Sequence, residues 1–193
     1  MYKPKIEITP LAGYQFGGAM VEGNFSTQDD SLVDDLGISG SENLGLILDY
    51  TLSNKVQLEL SFDRHFTQLN LHDGRTGQII KLSDMTVDYF QAGALYNWSG
   101  SSVQPFIGAT IGAVHLNPTE NLSDEWRIGA IPMIGVKVFA SKYFAIRFQT
   151  RITLMHMSRS DEMFCDPAGL CYQHPKNTYM TQIQFGMGLT LGL

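Results

Sequence analysis

The feature that most constrains this chain is a strict every-other-residue alternation of apolar and polar side chains, and Tyr143–His156 sets the pattern. One parity of that stretch holds Phe144, Ile146, Phe148, Thr150, Ile152 and Leu154; the other holds Ala145, Arg147, Gln149, Arg151, Thr153 and Met155. Successive side chains of an extended chain point to opposite faces, so one face is apolar and the other carries two arginines and a glutamine. A helix would scatter those charges around its circumference. The stretch is also slightly longer than the roughly 9–11 tilted residues that carry a strand across a bilayer.

Similar alternation is read over Lys5–Ala19, Ser41–Leu52, Val56–His65, Met85–Trp98, Val103–Leu116 and Trp126–Val138, with a closing stretch from Gln182 to Leu193. Three connections are short, at Ser53–Lys55, Ser99–Ser102 and Ala140–Lys142. Four are long and polar, at Glu22–Gly37, Thr67–Asp84, Asn117–Glu125 and Ser158–Thr178. Long and short strictly alternate. In the fourth stretch Val87 and Tyr89 fall on the opposite parity to Phe90, Ala92, Ala94, Tyr96 and Trp98, so a bulge is expected near Asp88. Pro10, Pro105 and Pro132 each remove a ladder donor and mark either bulges or shifted strand boundaries.

These features predict an all-β fold: an eight-stranded, antiparallel, up-and-down transmembrane β-barrel occupying residues 1–193 as one domain, with no amino-terminal signal peptide, as in a mature chain. A soluble barrel needs a similar alternation, with its apolar face inside. Three features favour the inverted arrangement. Tyr2, Trp98, Trp126, Tyr143 and Tyr179 sit near strand ends, where interfacial girdles require them. The polar face is rich in Gly and Gln rather than in the Lys and Glu of a wetted surface. Its acids and bases also suit a narrow lumen filled by side chains. A mean hydropathy of -0.06 and the lack of any run of about 18 apolar residues exclude spanning helices. The net charge of -6, with no basic stripe, excludes nucleic acid as a partner.

The stretches IEITPLAGYQFGG, QPFIGATIGAV, GVKVFASKYFAIRFQTRI and FGMGLTLGL resemble the small outer-membrane β-barrels of the outer-membrane protein A and protein W type, over essentially the whole chain. The resemblance implies the outer membrane of a diderm bacterium, both termini periplasmic, contact with outer-membrane lipid and lipopolysaccharide, and insertion by the barrel-assembly machinery. It implies no particular activity. Chains of this kind usually end in an aromatic residue that the machinery reads; this one ends in Leu193.

The charged residues of the polar face, Glu7, Asp49, Glu59, Asp63, Lys137, Arg147 and Arg151, are the first candidate site. They either line a narrow ion path or pair with one another and plug the lumen. A charge held away from water needs a partner, and acids and bases are nearly balanced, so pairing is expected. His156 and Ser158 form a His-x-Ser pair resembling that of outer-membrane lipid A deacylases, where an acid orients the His. Here Arg159 follows the Ser in place of that family's Asn, and the last strand holds no acid; the expectation is a polar rim and no enzyme. Cys165 and Cys171 are expected to form a local disulfide in an oxidising compartment. Asp29, Asp30, Asp34 and Asp35 lack the ligand spacing of a calcium loop, so neither a metal nor another cofactor is expected. The functional expectation is a non-enzymatic, structural or surface-interacting barrel with an envelope or surface protein partner. A lipid A deacylase and a narrow, porin-like channel for small or apolar solutes are the alternatives.

Overall fold

The strands close on themselves. The structure, a computed structural model, describes residues 4–26, 32–73, 78–98, 100, 102–119, 123–156, 162–163, 172–173 and 179–193. Its strands in chain order are β1 (Ile6–Phe16), β2 (Gly18–Ser26), β3 (Leu32–Ile38), β4 (Ser41–Thr51), β5 (Val56–Asp73), β6 (Ile79–Asn97), β7 (Val103–Pro118), β8 (Glu125–Phe139), β9 (Phe144–His156), β10 (Glu162–Met163), β11 (Tyr172–Gln173) and β12 (Tyr179–Gly192). Eight of them, β1, β4, β5, β6, β7, β8, β9 and β12, form a closed antiparallel barrel in which β1 pairs with β12. Following cross-strand partners from Gln15 through Gln184, Arg151, Met133, Gly108, Leu95, Gln57 and Thr51 returns to Lys5, ten residues from the start. Closure with such a stagger requires strands tilted by about 35–45°.

Two of the segments read as polar loops are largely sheet. Residues 18–26 and 32–38 pair as β2 with β3, and β3 continues onto the outer part of β5. β5 runs on to Asp73 and β6 starts at Ile79, so these two strands remain paired beyond the rest of the barrel. The backbones pair along these segments although the sequence there shows no period of two.

The expected bulge near Asp88 is absent. β6 keeps one register through that point, with Val87 and Tyr89 buried inside and Phe90 exposed outside. The two apolar residues face inward because the upper lumen is itself partly apolar, lined by Met85, Val114, Leu116, Met155 and Met180. The irregularities lie further out. Between the Asn43–His65 and Ile38–Leu69 pairs, residues 39–42 face residues 66–68, one fewer. Between the Leu69–Ser83 and Asn70–Lys81 pairs, Leu82 is the extra residue. Pro10, Pro105 and Pro132 all sit inside strands that keep register on either side.

The barrel is inverted relative to a soluble one. Leu44, Leu46, Phe62, Phe90, Ile111, Ile128, Ile134, Phe148, Phe185 and Met187 are exposed on its outside, whereas Asp49, Lys137, Arg147 and Arg151 are buried within. Trp98 and Tyr143 lie exposed at the short-turn end and Trp126 at the other. The Trp126 ring stacks on His115 at 4.4 Å between centroids. Tyr2, and the side chain of Tyr179, lie outside the described residues.

Candidate functional site

The alternation on β1, β4, β5, β8 and β9 aims seven charged side chains into the lumen, and the barrel's stagger brings them to matching depth. Lys137 Nζ donates to Glu7 Oε2 at 2.5 Å, to Asp49 Oδ2 at 3.0 Å and to Gln57 Oε1 at 3.0 Å. Arg147 Nη1 donates to the same Asp49 oxygen at 3.0 Å, while its Nη2 reaches Glu59 Oε2 at 2.6 Å. Arg151 holds the other Glu59 oxygen at 3.3 Å and Asp63 Oδ2 at 2.6 Å. Acid and base therefore alternate in a continuous chain: Glu7, Lys137, Asp49, Arg147, Glu59, Arg151, Asp63. Asp49 and Glu59 each join two cations, and every cation joins two acids.

Neighbouring residues complete the first two cations. Arg147 Nε donates to Gln149 Oε1 at 2.7 Å, and its guanidinium lies over the Phe106 ring, 4.6 Å from the centroid. Gln57 links the chain to Asn97 and Thr51 at the short-turn end. A second polar knot lies nearer the other end, where Gln15 Nε2 donates to Tyr89 Oη at 2.8 Å and Gln182 Oε1 at 2.7 Å, and Tyr89 Oη donates to Gln182 Oε1 at 2.9 Å. Sequence reasoning missed Tyr89 because the supposed bulge turned it outward. Its parity with Gln91 and Asn97 was the available signal.

Glycines make room for these long side chains. At Gly135 an added Cβ would meet the Phe106 ring and the Phe148 carbonyl. Gly135→Val should therefore displace Phe106 from Arg147 and cost about 1–3 kcal/mol, as overpacking does. Urea unfolding of the barrel refolded into lipid vesicles measures it; an unchanged midpoint would contradict this packing.

The other candidates are placed differently. His156 ends β9 on the outward face, with Tyr179 as its cross-strand neighbour. Ser158, Arg159, Cys165, Cys171, Asp29 and Asp30 lie outside the described residues, as do the side chains of Asp34 and Asp35. Among the described residues, no group of three or more His, Cys, Asp or Glu side chains is arranged to hold a metal ion. On the outer surface, just beyond the apolar band, Arg64 and Asp88 form a two-pronged ion pair with both contacts at 2.7 Å. Close by, a hydrogen bond with His115 at 2.9 Å holds the exposed Asp124 carboxyl below its ordinary range.

No family model matches the chain, and no curated protein sequence matches it. Among solved structures, the crystal structure of Neisserial surface protein A aligns over 98% of this chain and 97% of its own, with a TM-score of 0.64 and 11% identity. The solid-state NMR structure of the outer-membrane protein AlkL in lipid bilayers aligns over 100% of this chain and 92% of its own, with a TM-score of 0.50 and 11% identity. At such identities the likeness is one of fold: this chain has the architecture of the small outer-membrane β-barrels.

Proposed function

We propose that the chain is a non-enzymatic barrel in the outer membrane of a diderm bacterium, with a structural or surface-interacting role and a lumen closed to ions. One observation carries the closed-lumen reading: the unbroken chain of seven paired charges across the interior. A conducting lumen needs charges that face water. Here Lys137, Arg147, Asp49 and Glu59 are 0–1% exposed, and each finds its oppositely charged partners on other strands.

The shared fold and the apolar exterior support the membrane placement. Lys5 N donates to Leu193 O at 3.1 Å, so the two ends of the described chain meet at the short-turn end, which in outer-membrane barrels faces the periplasm. The partners that follow are outer-membrane lipid and lipopolysaccharide, the barrel-assembly machinery during biogenesis, and a surface or envelope protein reached through the outer loops and the β2–β3–β5–β6 extension. The outward position of His156, at the level of lipid headgroups, supports a rim role over a catalytic one.

Reconstituted in planar bilayers, the protein is expected to give no discrete current steps above membrane leak. A stable, reproducible open state in the unaltered chain would overturn the closed lumen.

A further inference from the structure

We infer that a bulged notch on the outer flank of the barrel is a binding site for the saccharide headgroup of an outer-leaflet glycolipid. The inference rests on the membrane placement proposed above and is independent of whether the lumen conducts.

The notch, about 610 Å3 in volume, lies where β5 runs between two irregular neighbours. On one side residues 39–42 bulge against residues 66–68; on the other Leu82 is extra in β6. Bulges at a barrel rim bend the strand and re-aim its side chains. The notch presents Ser41, Phe66, Gln68, Asp84 and Thr119 on the outer flank, while Thr67 turns into the barrel. Phe66 stands one outward-facing residue beyond Arg64, whose pair with Asp88 caps the apolar band. The notch therefore opens sideways, at the height where headgroups follow acyl chains.

Its hydrogen-bonding character selects the ligand. Ser41 Oγ donates to the Phe66 carbonyl, and Thr119 Oγ1 donates to the Asp84 carbonyl. Each hydroxyl has committed its single proton and has only lone pairs left to offer. Asp84 adds a carboxylate, held at one oxygen by Lys81 at 2.7 Å. With the donors of Gln68 and Lys81 beside these acceptors, the notch offers a mixed polar set, which suits a ligand that both donates and accepts through many hydroxyls. Phe66, 52% exposed, supplies the apolar surface on which the C–H face of a sugar ring rests. A saccharide meets both demands.

The test uses the whole chain folded in dodecylphosphocholine micelles, with amide NMR shifts read during titration with dodecyl maltoside and, separately, with free maltose. The maltoside should shift the amides of residues 65–69 and 83–87, and free maltose should bind more weakly. Gln68→Ala and Asp84→Asn should each weaken maltoside binding about tenfold, the loss expected for one hydrogen bond to a charged or well-placed polar group. Both variants should keep the heat-modifiable gel migration of a folded barrel, which reports the membrane fold whatever the notch binds. Undiminished maltoside binding by both variants, or no shift beyond that of added phosphocholine detergent, would overturn the site. Equal affinity for free maltose would overturn the lipid source.

Discussion

Replacing Arg147 with alanine should destabilise the barrel by about 3–5 kcal/mol, the cost of stranding buried charges whose partner is gone. Asp49 and Glu59 are direct cross-strand neighbours, and Arg147 sits between them, 3.0 Å from one and 2.6 Å from the other. Without it, two buried carboxylates face each other. The fluorescence of Trp98 and Trp126, the chain's two tryptophans, follows urea unfolding from lipid vesicles and reads the loss. Combining Arg147→Met with Asp49→Asn and Glu59→Gln removes attraction and desolvation together, and should recover most of the stability. A loss below about 1 kcal/mol for Arg147→Ala would mean that the acids are hydrated, as in an open channel.

The second large effect is expected one residue away. Phe148 follows Arg147 on β9 but faces outward, 43% exposed, near the middle of the strand. Phe148→Arg should cost about 2–4 kcal/mol in a bilayer, because a lipid-facing charge at mid-depth has no partner. Thr181→Arg, on the outward face near the start of β12 and away from the short turns, should cost no more than about 1 kcal/mol. In a water-soluble barrel the two substitutions would be equally mild, so a flat response across these positions would contradict the membrane placement. Arginine thus belongs at position 147 and is excluded from 148 by a single step along the chain.

Much of this is legible in the sequence. A period of two survives wherever one face must be apolar and the other polar, and β9 shows it without a break from Ala145 to Met155. The inward direction of Glu7, Asp49, Glu59, Asp63, Lys137, Arg147 and Arg151 follows from the same parity. Which acid meets which base does not, because relative depth is set by strand stagger, a property of closure rather than of any one strand. Lys137 reaches both Glu7 and Asp49 only because β1, β4 and β8 are offset as they are. The outer strand extensions were hidden for another reason. β2 and β3 pair through their backbones, and such pairing requires no period of two in the sequence. Tyr89 and Val87 depart from the outward position expected of apolar residues because the upper lumen is itself partly apolar.

The ion-pair chain also has a consequence for how the barrel comes into being. Glu7 lies on the first strand and its cation on β8, 130 positions later; Asp49 meets Arg147 across 98 positions. None of these contacts is local, and loops of that length must be closed before they reward the chain. A half-assembled sheet would carry at least one carboxylate with no cation in reach, beside hydrocarbon. Until β1 meets β12, then, the inner face has to stay wet. Closing the seam and drying the interior should be one event, so the slowest step of assembly is also the one that turns seven solvated charges into a stable interior.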